Sequence, residues 1–165
     1  MFDFKSSATT KAEQWVDVLS AADAVTVGES DPIANMANVA SVLFHGLPDL
    51  NWAGFYRMSQ DDISGSELVL GPFQGKAACI RIPLGKGVCG TAAATGVTQL
   101  VADVHAFAGH IACDAASRSE LVVPLIIDGQ VIGVIDLDSP TPARFDTEDA
   151  AGCEALARLI GPRTC

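Results

Sequence analysis

The chain is short of positive charge. Ten Lys and Arg stand against twenty Asp and Glu in 165 residues, a formal net charge of −10. With no basic footprint to neutralise phosphates, a nucleic-acid backbone is excluded as a partner. The same deficit disfavours anionic membrane surfaces. Long apolar runs are missing too: "LVVPLII", residues 121–127, has the length of a strand and cannot span a bilayer. The opening "MFDFKSSATTKAEQW" has no apolar core region and carries charge early, so no secretory signal is expected and the expected compartment is the cytoplasm. Internal repeats and low-complexity linkers are also lacking. What is present is apolar: 49% of residues are hydrophobic and the mean hydropathy is +0.32. That composition predicts a single compact domain with a real core, in no need of metal or disulfide staples.

Closely spaced cysteine pairs are absent as well, yet three thiols fall within thirty-five residues. Cys79 and Cys89 flank a glycine-rich turn in "CIRIPLGKGVCG", and Cys113 follows in "GHIACDAASRSE". Cys153 and Cys165 bring the count to an odd five. A reducing compartment argues against a permanent disulfide framework. Closed zinc sites pair ligands at two-to-four-residue spacing, which no cysteine pair here does, so no metal is expected. His105 and His110 keep a zinc reading open behind that expectation. For any one cysteine the ordinary reading is a buried structural thiol. Three in loop-like, glycine- and polar-flanked sequence favour redox chemistry.

Patterning predicts an α+β fold: a central, mostly antiparallel sheet of about six strands, flanked by N- and C-terminal helices. "TKAEQWVDVLSAADAVT" reads as a first helix. "DPIANMANVASVLFHGLP" reads as a second, with Ile33, Met36, Ala37, Ala40, Phe44 and Leu47 at helical spacing, Asp31 as cap and Pro32 in the first turn. The strands expected are "NWAGFYRM", "ELVLGPF", "ACIRIPL", "TQLVAD", "ELVVPLIID" and "QVIGVIDLD". "SQDDISGSE" reads as a loose hairpin connection and "GTAAATG" as one or two helical turns. A last helix opens near Asp146 and stops at Gly161-Pro162. Alternation in "AACIRIP" puts Cys79, Arg81 and Pro83 on one face, with Ile80 and Ile82 on the other. The same period in the last strand aligns Ile132, Val134, Asp136 and Asp138.

"GPFQGKAACIRIPLGKGVCGTAAATG", "VADVHAFAGHIACDAASRSELVVPL" and "VIGVIDLDSP", with "RFDTED" after it, resemble the free methionine-R-sulfoxide reductases, stand-alone enzymes on the GAF fold. The resemblance runs over residues 51–159 and includes "NWAGFY" and "DLDS". It implies one GAF domain over 1–165, with a helical segment at 1–30 and the GAF core at 31–160. It further implies reduction of free methionine-(R)-sulfoxide, with thioredoxin as recycling dithiol, no bound cofactor and a homodimer. By family position Cys113 is the nucleophile, Cys79 the principal resolving thiol and Cys89 an auxiliary. Cys153 and Cys165 fall outside the motifs. The chemistry is consistent with three thiols: attack on the sulfoxide sulfur leaves a sulfenic acid, and a second thiol must condense with it before it oxidises further.

A zwitterionic substrate needs carboxylates for its ammonium and an aromatic wall for its thioether stem. Asp136 and Asp138 suit the first need, joined by the family-matched Glu120, which has the alternative role of proton donor to the sulfoxide oxygen. Trp52 and Tyr56, four apart on one strand, share a face and match the second. Residues 104–118 are long and loop-like enough to close as a lid. One conflict stands out: an ideal Asp128-Gly129 hairpin sets Glu120 opposite Leu137, on the wrong face for a shared site. The resemblance therefore predicts a bulge, an odd-length turn, or Glu120 in a loop before the strand. A reading of another class is a non-catalytic GAF sensor of redox state or a small metabolite, acting through a partner protein.

Overall fold

The computed structural model describes residues 8–59, 67–107, 109 and 115–165. Cys113, His110 and the expected connection at 60–66 lie outside the described residues.

Capping chemistry sets the main helices. In α1 (Lys11–Thr26) the Thr10 side chain accepts from the Glu13 N–H while Glu13 reaches back to the cap, a reciprocal pair that satisfies two orphan donors. Asp31 accepts from the Ala34 N–H and Pro32 opens α2 (Pro32–Gly46). Asp146 and Asp149 make the same reciprocal box at the start of α4 (Thr147–Ile160). Buried Asp149 also receives the Trp15 indole N–H (3.2 Å), Lys11 (2.5 Å) and Arg144 (3.0 Å), tying α1 to α4. The core face of α2 is rotated from the expected one. Met36, Val39, Ala40 and Leu43 are buried, whereas Ile33 is 44% exposed and Ala37 faces solvent.

Among the described residues six strands form one sheet, β1 (Trp52–Met58), β2 (Glu67–Gly75), β3 (Arg81–Pro83), β4 (Gln99–Val101), β5 (Ser119–Ile127) and β6 (Gln130–Ser139), in the order β3-β2-β1-β6-β5-β4. Every pairing is antiparallel. α1, α2 and α4 cover one face and make the larger core with Ala53, Phe55, Leu121, Val123, Ile135 and Leu137. The other face, under α3 (Gly87–Thr95), carries Trp52, Tyr56, Val122 and Val134. Period-two alternation in β1, β5 and β6 thus feeds two separate cores, one on each side.

Two local expectations fail. β3 is only three residues long, so Cys79 precedes it, half-buried, and Ile80 is 69% exposed while Ile82 is buried. "GTAAATG" underestimates α3, which begins at Gly87 and places Cys89 in its first turn rather than in a loop. Gly90 explains why glycine sits inside this helix: a Cβ there would stand 2.4 Å from the Pro83 carbonyl oxygen.

The β5–β6 hairpin turns at Asp128 (φ 50°) and Gly129 (φ 78°), with Ile127 opposite Gln130 and Ile126 opposite Val131, as the two-residue turn predicts. Leu125 then pairs with Gly133, leaving Ile132 as an extra residue. The bulge turns Val131 toward the α3 side and Ile132 onto the helix-side core, so Ile132 does not share a face with Val134. Beyond it every pairing moves by one, and Glu120 lies opposite Asp138 and Leu121 opposite Leu137. Gly133 lets β1 approach at this point: a Cβ would stand 2.4 Å from the Tyr56 carbonyl oxygen. Gly133→Ala is therefore expected to cost about 1–3 kcal/mol of stability, read as a lower urea midpoint at unchanged m-value.

Candidate active site

The shifted register brings three acids to one face. On β6, Asp136 and Asp138 stand two apart; on β5, Glu120 is the direct neighbour of Asp138. On the other side β1 pairs Trp52 with Asp138 and Gly54 with Asp136. Trp52 and Tyr56 project from the same face and their rings stack at 5.9 Å between centroids, 22° apart. A residue the sequence did not single out, Phe73 of β2, also stacks with Trp52 at 5.3 Å and 12°. Only its position in an alternating strand hinted at that.

The aromatic pair also fixes the segment that carries Cys79. The Trp52 indole N–H donates to the Lys76 carbonyl (3.1 Å), and the Tyr56 hydroxyl donates to the Cys79 carbonyl (3.0 Å). Between them lies a cleft of about 20 Å³, room for about one water, lined by Trp52, Tyr56, Lys76, Ala77, Ala78, Asp136 and Asp138. Cys79 is disulfide-bonded, whereas Cys89, Cys153 and Cys165 are free thiols.

Burial dominates the electrostatics. Glu120 and Asp136 are each only 6% exposed. Desolvation pushes the Glu120 carboxyl well above its usual range, helped by the negative charges of Asp136 and Asp138. Desolvation also raises Asp136, to about 7, against hydrogen bonds from Cys89 and Glu120 that favour its ionised form. Within this pair Glu120 carries the proton and donates it toward Asp136. The Cys89 Sγ–H lies 3.9 Å from Glu120 Oε1, and burial together with the two carboxyls pushes that thiol up. Cys89 is thus held as a neutral thiol, which suits donation and not attack. Its sulfur and one oxygen from each of Glu120 and Asp136 lie within 4.8 Å of one another, a spacing at which all three could ligate one metal ion. Among the described residues, buried Asp136 Oδ1 has no hydrogen-bond partner.

Residues 104–118 leave and rejoin the sheet at a closed neck. The Val104 N–H donates to the Arg118 carbonyl (2.8 Å), and the Arg118 N–H to the Ser139 carbonyl (2.7 Å). At the neck Asn51 donates to the Ser117 hydroxyl (3.0 Å). His105, which the sequence left open as a zinc ligand, is exposed and hydrogen-bonds Asp103 through Nδ1 (3.0 Å). The geometry thus sets Trp52, Tyr56, Asp136 and Asp138 around one cleft, with Glu120 and Cys89 buried against Asp136 and Cys79 following Ala78 of its wall.

Comparison with known proteins agrees with this arrangement. A GAF-domain profile matches residues 34–162. Free methionine-R-sulfoxide reductase of Escherichia coli (strain K12) is 50% identical over 150 residues, 91% of this chain and 88% of its own. The Saccharomyces cerevisiae protein of the same name is 44% identical over 160 residues, 94% of this chain and 88% of its own. The X-ray structure of free methionine-R-sulfoxide reductase from Neisseria meningitidis in complex with its substrate superimposes with a TM-score of 0.92 at 47% identity, covering 99% of this chain and 96% of that one. The chain belongs to the free methionine-R-sulfoxide reductase family. The acid face, the aromatic pair and the segments that carry Cys79 and Cys89 sit on one side of the sheet, and α1, α2 and α4 cover the other.

Proposed function

We propose that the protein reduces the R epimer of free methionine sulfoxide to methionine. The observation that carries this reading is the bulge-shifted register, which sets Glu120, Asp136 and Asp138 on one face against the Trp52–Tyr56 wall. Asp136 and Asp138 receive the substrate ammonium. Trp52 and Tyr56 hold the thioether stem, and protonated Glu120 donates to the sulfoxide oxygen.

The Cys113 thiolate attacks the sulfoxide sulfur. Methionine leaves and the oxygen stays on the enzyme as a sulfenic acid. Cys79 then displaces that oxygen as water, forming a disulfide. Thioredoxin supplies the two electrons and two protons that restore both thiols, so no bound cofactor is needed. What supports Cys79 in this role is that it is disulfide-bonded, while buried Cys89 is a free thiol. The cleft, at about 20 Å³, is too small for methionine sulfoxide. The lid expected over residues 104–118 falls in part on 108 and 110–114, outside the described residues. The working form proposed is a cytoplasmic homodimer.

The test is a coupled assay with NADPH, thioredoxin reductase and thioredoxin, offering each epimer separately. Sustained NADPH consumption is expected with free methionine-(R)-sulfoxide and none with the S epimer. Oxidation of one equivalent of enzyme thiols without turnover of either epimer would instead identify a redox sensor.

A further inference from the structure

Among the described residues, neither Glu120 nor Asp136 has a basic partner, although both are buried. A buried carboxylate oxygen with nothing to accept from is costly, and Asp136 Oδ1 is such an atom. Beside it stand the Cys89 sulfur and a Glu120 oxygen, all three ligand atoms within 4.8 Å. One sulfur and two carboxylate oxygens form a donor set suited to a borderline-soft divalent cation. Tetrahedral zinc and cobalt accept such ligands and leave a fourth position for water. The ligands come from α3, β5 and β6, so their separation is set by the sheet and helix packing and not by a loop. The cleft beside Trp52 and Tyr56 reaches Asp136 and offers the route in.

We infer that Cys89, Glu120 and Asp136 form a site for a thiophilic divalent cation such as Zn²⁺, one that excludes substrate when filled. Binding forms a metal–sulfur bond and two metal–oxygen bonds. The Cys89 thiol proton, and the proton shared by the carboxyls, leave to solvent. The cation neutralises the charge that an ammonium otherwise meets. That overlap, as distinct from metal binding itself, rests on the function proposed above. The site also differs from ordinary metal poisoning of a thiol enzyme. Cys89 is a free thiol while Cys79 is disulfide-bonded, so the cation binds with the Cys79 disulfide intact.

The test uses Co²⁺ as probe on full-length Cys165→Ser protein, from which the exposed thiol has been removed, with the Cys79 disulfide formed. The expected result is one Co²⁺ per chain with thiolate-to-cobalt charge-transfer absorption, bleached when Zn²⁺ displaces the cobalt. Adding Cys89→Ser removes that absorption. Asp136→Asn and Glu120→Gln each weaken binding at least about tenfold, and they serve as independent checks should Cys89→Ser fold poorly. No charge-transfer band overturns the site. So does a band that survives Cys89→Ser, or one that appears only after the Cys79 disulfide is reduced. Free methionine should raise the apparent Co²⁺ dissociation constant in proportion to its concentration. Failure to compete overturns the overlap with the ammonium position and leaves the cobalt result standing, because the absorption needs no turnover.

Discussion

Cys113→Ser protein is expected to show no turnover of free methionine-(R)-sulfoxide, even with thioredoxin in excess. The two buried free thiols are not equipped to replace it. Cys89 and Cys153 are buried, and burial pushes both thiols up, so neither presents a thiolate near neutral pH. Cys79→Ser separates the two halves of the reaction. Attack still occurs, so about one equivalent of methionine is released per enzyme. The sulfenic acid then persists and the progress curve goes flat. Rapid-quench analysis of released methionine, with mass spectrometry of the oxidised cysteine, reads both outcomes. Full multiple turnover by Cys113→Ser would overturn the assigned roles. Sustained turnover by Cys79→Ser would transfer the resolving role to Cys89.

Asp136→Asn is expected to stabilise the protein while disabling it. Burial raises Asp136 to about 7 and lifts Glu120 well above its usual range, so the folded chain holds protons that the unfolded chain releases near pH 4. Stability is then greatest below about pH 4 and falls as pH rises through 7, because the folded state binds more protons over that window. Each pH unit over which the folded chain keeps one extra proton is worth about 1.4 kcal/mol, so removing the Asp136 charge should gain on the order of 2 kcal/mol at pH 8. At pH 4 the gain should vanish. Urea titrations of parent and variant at the two pH values measure the difference. The same change removes a buried partner of the substrate ammonium, so kcat/KM for the R epimer should fall at least about thirtyfold. A variant with unchanged stability at pH 8 would mean that the carboxyl is solvated in the folded chain. A variant with parental kcat/KM would place the ammonium elsewhere.

Local signals in the sequence carried far where one residue type dictates one geometry. Asp31-Pro32 and Asp146 announce helix starts because their side chains accept from the first turn, and they do so in the structure. Asp128-Gly129 announces a hairpin because both positions need positive φ. Alternation in "VIGVIDLD" located two of the three acids. Signals weakened where packing overrides the pattern. The helical stretch of α3 hid behind Gly87 and Gly90, the latter required by the close approach of the Pro83 carbonyl. Alternation set Ile80 on one strand face with Ile82, but β3 is too short to include it. The bulge at Ile132 has no motif of its own. Counting residues from an ideal turn set Glu120 on the wrong face, and family likeness alone argued for its correct side. Cys113 was named from that likeness, and its position lies outside the described residues.

That single extra residue in β6 bears on how such a protein can diverge. A substitution in the hairpin alters one side chain, but loss or gain of one codon near Ile132 would exchange the two faces of the strand. Asp136 and Asp138 would enter the helix-side core, and Ile135 and Leu137 would enter the cleft. Lineages that retain this site are therefore free to vary the letters between the turn and the acids, Gly133 apart, but not their number. The seven-residue step from Gly129 to Asp136 is the trait that drift cannot erode without losing the cleft.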